Sequence, residues 1–177
     1  MNETAQQYKE RILSLVEGKD AVAVMRETPS RLAKLVDGAS ADELSKRSEP
    51  GKWSVSEILV HLAEAEVGSY WRYRQMIEHN GSSLIPFDQD LWYELGDYSE
   101  RDAKESLQLF RMLREGNLRM FDKLTPAQWQ LGGVHMERGP MTVADLARQI
   151  AGHDINHVAQ VEKLIAEEKG AGKASAK

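Results

Sequence analysis

Apolar positions recur at offsets of three and four through most of the chain, the repeat of helices that each bury one face. The last long stretch shows it most fully. Val143, Leu146, Ile150, Val161 and Leu164 share one stripe, and His153 and His157 fall on that stripe between them. The pattern predicts a helix from 143 to about 168, capped by Thr142. Val55, Ile58, Leu59 and Leu62 mark another, opened by Ser54 and Glu57 as a capping box and running to about Glu78 before Asn80-Gly81. Leu107, Phe110, Leu113, Leu118 and Phe121 mark a third long helix, with Ser99 as its expected N-cap. Residues 20–37 read as one interrupted or kinked helix: Asp20 caps it, and Thr28-Pro29 resembles a fresh start with proline at the first helical position. A helix over 3–17 precedes it and stops at Gly18. No strand pattern stands out.

These elements predict an all-α four-helix bundle with a long crossover before the third long helix. The crossover, residues 81–98, carries Phe87, Trp92 and Tyr93, so a packed lid is expected rather than a slack linker. Thr125-Pro126 predicts a helical turn, and Gln130 to Pro140 a tight connection. The helix starts at Ser54 and Thr142 echo one another in pattern, as two helical hairpins would, although capping alone also produces the echo. The expected division is an N-terminal helical extension over 1–19, the bundle over 20–168 and a disordered tail over 169–177.

At 177 residues one domain with a substantial core is expected. No apolar run approaches the ~20 residues of a membrane helix, and Met1-Asn2-Glu3-Thr4 lacks the basic and apolar regions of a signal peptide. The default expectation is a cytoplasmic protein with no membrane partner. A net charge of −5 disfavours nucleic acid. The chain has no cysteine, which excludes disulfides, cysteine-held zinc, iron–sulfur clusters and a protein thiol nucleophile.

Two imidazoles where a bundle would bury leucines need partners, and a metal ion is one. His61, beside the Ile58 stripe, is the candidate third ligand from another helix. Three neutral nitrogens leave coordination positions open, the arrangement of a catalytic centre rather than a closed structural one. Zinc, nickel and ferrous iron all suit imidazole. A di-iron bundle would need Glu-x-x-His, which is absent, and a zincin would need a glutamate where Asp154 stands. Asp154 could orient an imidazole or form a structural ion pair; Gln160 could reach the cavity. Glu64 or Glu66 could act as a general base, against the commoner reading of solvated helix carboxylates. Trp92 and Tyr93 could line a pocket. His79 is expected to be exposed, and His135 to serve either the bundle mouth or its own turn.

Three segments resemble the DinB-like superfamily. Trp53-Ser54-Val55-Ser56-Glu57-Ile58-Leu59-Val60-His61-Leu62-Ala63-Glu64-Ala65-Glu66 resembles its W-S-x-x-E-x-x-x-H-L-x-(D/E)-x-E segment. His153 to Gln160 resembles H-D-x-x-H-x-x-Q, and His135 to Thr142 resembles H-x-x-x-G-x-x-(S/T). The similarity spans roughly residues 20 to 168. It implies a four-helix bundle holding a divalent metal on His61, His153 and His157. Members with assigned roles include bacillithiol transferases, mycothiol-dependent isomerases and the thiol-binding part of ergothioneine-forming enzymes; others are labelled metal-dependent hydrolases without an assigned activity. The resemblance implies a small-molecule substrate, with a low-molecular-weight thiol activated as thiolate as the leading expectation. The alternatives are a hydrolase in which the metal activates water, and a non-enzymatic metal-binding or stress-response bundle. Family members often form homodimers, so one is an open expectation.

Overall fold

The computed structural model describes residues 3–175. Four long helices build the core: α2 (Ala21–Val36), α4 (Val55–Glu78), α6 (Ala103–Phe121) and α8 (Val143–Ser175). A short α1 (Ala5–Leu15) lies against α8. Small helices α3 (Ala41–Ser45), α5 (Gln89–Leu95) and α7 (Pro126–Trp129) sit in the connections. Around the bundle α2 neighbours α8, α8 neighbours α4, α4 neighbours α6, and α6 returns to α2.

Cross-helix pairs set the directions. Glu64 meets Arg101, just ahead of α6, and Glu66 meets Arg114, while Tyr73 meets Phe121, so α4 and α6 run parallel. Parallel neighbours cannot be joined by a tight turn, so the chain needs the crossover from 79 to 102 to return along the bundle. The last helix continues past the expected end at 168, through Ser175, into the expected tail; Ala176 and Lys177 lie outside the described residues.

The caps largely follow local chemistry. Ser54 accepts from the Glu57 N–H while the Glu57 carboxylate accepts from the Ser54 N–H, and Thr142 with Asp145 does the same for α8. The third long helix starts later than expected. Asp102, not Ser99, is the N-cap, accepting from Lys104 and Glu105 N–H, because residues 97–101 are taken up in a turn that buries Tyr98. Helix α2 runs unbroken through Pro29. Proline removes the bond that the Met25 carbonyl would receive; Arg114 Nη1 donates to that carbonyl at 3.0 Å instead.

A three-stranded sheet is the feature the pattern of the sequence did not reveal. Strand β1 (Ser82–Leu84) pairs parallel with β2 (Gly132–His135), and β2 pairs antiparallel with β3 (Gly139–Thr142). Strands this short hold too few residues for a visible alternation. Gly132 and Gly133 permit the pairing: a Cβ on Gly132 would stand 2.2 Å from the Met141 oxygen, and one on Gly133 2.7 Å from the Ser82 oxygen. The sheet ties the crossover to the start of α8, at one end of the bundle.

Buried apolar side chains fall into two groups, one around Leu32, Leu59, Phe110 and Val161, the other around Met25, Tyr73, Leu118 and Leu146. Buried polar side chains, among them Glu66, Arg114, Asn117, Asp154, His61 and His157, also occupy the interior.

Candidate metal centre

His61 comes from the second turn of α4, and His153 and His157 from successive turns of α8. The antiparallel packing of α4 on α8 brings them together. The Nε2 atoms of His61 and His153 are 2.9 Å apart, and those of His157 and His153 3.1 Å. One ring nitrogen from each lies within 4.8 Å of the other two. Two nitrogens ~2.0–2.1 Å from one tetrahedral ion would stand about 3.3 Å apart, so the spacing suits a shared cation.

Proton chemistry agrees. The Gln160 carbonyl oxygen faces His157 Nδ1 at 2.9 Å. An amide oxygen only accepts, so Nδ1 carries the proton and Nε2 keeps its lone pair. Burial pushes His61 and His153 well below the usual imidazole value, with His157 nearby acting in the same direction. Burial brings His157 down to about 4, although Gln160 pulls it upward. Three neutral imidazoles thus turn Nε2 inward on one point, a donor set that fits a divalent ion of intermediate softness.

The cluster opens on a cavity of about 600 Å³. Tyr8 and Arg11 of α1 form part of its wall, with Trp53, Ser69 and Arg72 from the α4 side, Phe87 from the crossover, His135 and Arg138 from the hairpin, and Gln149 from α8. Gly152 lets α1 lie this close: a Cβ there would stand 2.1 Å from the Ile12 oxygen. The Trp53 ring lies 4.9 Å from that of His61. Tyr93 also stacks on Trp53, at 5.9 Å, and bonds to Glu57 and Arg47.

The remaining candidates divide sharply. Gln160 does reach the site, through His157. Asp154 does not orient an imidazole by any hydrogen bond described; it is fully buried on Arg114, at 2.5 and 3.1 Å. Glu66 is buried rather than solvated and takes Arg114 Nε and Nη2 and Asn117 Nδ2 at 3.0, 2.8 and 2.7 Å. Glu64 accepts from Tyr98 Oη at 2.6 Å and from Arg101 at 2.8 Å. None of these three carboxylates lines the cavity. Trp92 stacks on Phe87 at 4.5 Å, so it and Tyr93 support the wall from behind. His79 is exposed, whereas His135 is buried on β2 and faces the cavity. Arg72 and Gln149 were not singled out from the sequence. The signal for Arg72 was a charged residue on the His61 face of α4, three turns on.

Against known proteins, the sequence pattern described as the DinB superfamily matches residues 25–161. The chain belongs to the DinB superfamily. It is 26% identical over 160 residues to "Putative metal-dependent hydrolase YfiT" of Bacillus subtilis, covering 89% of this chain and 90% of that one. It is 27% identical over 150 residues to "Putative metal-dependent hydrolase GK0616" of Geobacillus kaustophilus, with 84% of each covered. The solved structure of B. subtilis YfiT, described as a probable metal-dependent hydrolase with an unusual four-helix bundle topology, superposes with a TM-score of 0.76 at 22% identity over 92% of this chain and 88% of that one. The mycothiol-dependent maleylpyruvate isomerase superposes with a TM-score of 0.60 at 10% identity, over 76% of this chain and 58% of that one. These likenesses establish the DinB-type bundle. Helix α1 precedes the matched segment, yet it walls the cavity. Among the described residues no helix is long and apolar enough to cross a membrane.

Proposed function

We propose that this DinB-superfamily protein is a metal-dependent enzyme in which His61, His153 and His157 hold a divalent ion and a small-molecule thiol supplies the nucleophile. The observation that carries the reading is the convergence of three neutral Nε2 atoms on one point at the cavity wall. Bound there, the ion would lower the pKa of a thiol so that it is ionised at neutral pH. Gln160 holds His157 in the tautomer that presents Nε2. Trp53 packs against His61 and limits water on that side.

Thiol transfer is favoured over hydrolysis by the surroundings of the cluster. A thiol whose pKa has been lowered needs no general base, whereas activating water is commonly helped by one. Glu64, Glu66 and Asp154, the candidates for that role on the ligand-bearing helices, are engaged elsewhere, and the carboxylates that line the cavity, Glu3, Glu49 and Glu137, stand off these helices. The name of the mycothiol-dependent neighbour points the same way. Hydrolysis is the second reading, favoured by the names of the Bacillus and Geobacillus relatives.

Metal analysis of protein saturated with zinc, nickel or ferrous iron should find about one ion per chain in wild type and none in His153→Ala. Metal-loaded protein should then conjugate a small thiol to an electrophile such as chlorodinitrobenzene. Absence of metal in wild type overturns the reading. Cleavage of esters or amides without any thiol, together with no conjugation, assigns hydrolysis instead.

A further inference from the structure

His61, Ala65, Ser69 and Arg72 follow at offsets of four, four and three on α4, so they share one face, and all four line the cavity. The two middle residues are small. They leave an open track from the histidine cluster toward the guanidinium. At ~1.5 Å per residue, the step from residue 61 to residue 72 is about 16 Å along the axis.

Arg72 is only 8% exposed. Its Nη2 donates to the Ile85 carbonyl oxygen at 2.7 Å, and its guanidinium carbon lies 5.2 Å from the centre of the Phe87 ring. No carboxylate among the described residues forms an ion pair with it. Arg114, the other deeply buried arginine, is shared by two carboxylates. Burial lowers the Arg72 pKa from its ordinary value; neighbouring Arg138 adds to that effect and Glu137 opposes it. A buried cation without a counter-charge is costly, and one lining a cavity can be met by a ligand.

We propose that Arg72 anchors a carboxylate at the far end of an extended small-molecule substrate whose reacting atom lies at the histidines. The position of the reacting end rests on the three-histidine reading above; the anchor does not. Arg72 and Arg138 against Glu137 leave one net positive charge, which matches a singly charged carboxylate better than a doubly charged phosphate. The bond to Ile85 occupies one of five guanidinium donors, so a two-bond fork to a carboxylate stays open. Phe87, which meets both Arg72 and Trp92 and lines the cavity, gives the aliphatic part of such a ligand an apolar wall.

The test is calorimetric titration of the full-length protein, with and without zinc, using mercaptooctanoate, mercaptooctanol and mercaptooctyl phosphate. Wild type should bind the acid about tenfold or more tightly than the alcohol, the worth of one charge-assisted fork. Arg72→Met should erase that ratio, and Arg72→Lys should keep part of it, with thermal melting used to confirm that both variants are folded. Equal affinity for acid and alcohol in wild type, an unchanged ratio in Arg72→Met, or no measurable binding of the acid overturns the proposal. Tighter binding of the phosphate than of the acid overturns the choice of carboxylate. If the acid-to-alcohol ratio holds but zinc strengthens neither ligand, the anchor stands and the thiol–metal reading falls.

Discussion

Two buried polar clusters lie side by side in this bundle and behave in opposite ways. His153 and Asp154 are consecutive on α8 but serve different clusters. On one side Arg114 is enclosed by Glu66, Asp154 and the Met25 carbonyl, with Asn117 completing the set. Its donors meet acceptors within the protein, and none of these side chains lines the cavity. On the other side the histidines turn lone pairs toward one another and toward open space. Burial alone does not separate them, since both clusters lie in the interior. The difference is whether the protein itself completes the hydrogen bonding. A closed network holds the fold; an incomplete one invites a ligand.

The comparison can be broken first at Arg114. Arg114→Met leaves two carboxylates buried without a cation, and urea unfolding should show a loss of about 3–5 kcal/mol. A small loss would mean that the network is not the closed structural element described. The histidine cluster should do the reverse, gaining stability from outside. Zinc at about a thousand times its Kd should raise wild-type stability by about 4 kcal/mol, read as an upward shift in Tm, and should leave His153→Ala unmoved.

Acid should probe the same cluster in metal-free protein. His157 titrates at about 4 in the fold, below its ordinary value. Its contribution is therefore complete above about pH 6.5 and is lost as the pH falls toward 4, on the order of 3 kcal/mol. Chemical denaturation at stepped pH measures it; stability that stays flat across this window would contradict a neutral buried cluster. The smallest effect belongs to Gln160, which only orients its neighbour. Gln160→Ala should weaken metal binding roughly tenfold to a hundredfold without changing the number of ions bound, as read by competition with a chromophoric chelator.

Local chemistry carried much of this architecture openly. The stripes of α4, α6 and α8, the capping box at Ser54 and the stop after Glu78 are contacts among residues close in sequence, so spacing alone reveals them. The same spacing put His153 and His157 on one face and nominated His61. Other features depended on residues distant in sequence. The sheet rests on pairing between 82–84 and 132–142, and α2 continues through Pro29 because Arg114, far along the chain, bonds the freed carbonyl.

Glu66 and Arg72 mark the limit most clearly. In sequence both are charges on a helix, and the ordinary reading is solvent. In the fold, Glu66 is closed off by Arg114, whereas Arg72 faces a cavity and forms no ion pair with a carboxylate among the described residues. The amino-acid sequence by itself determined the long helices, the caps at Asp20, Ser54 and Thr142 and the histidine pair, because those depend on periodicity and near neighbours. Only the tertiary structure decided which buried charges are completed internally and which are left for a ligand, because that depends on what the packing of α4, α6 and α8 brings opposite each one.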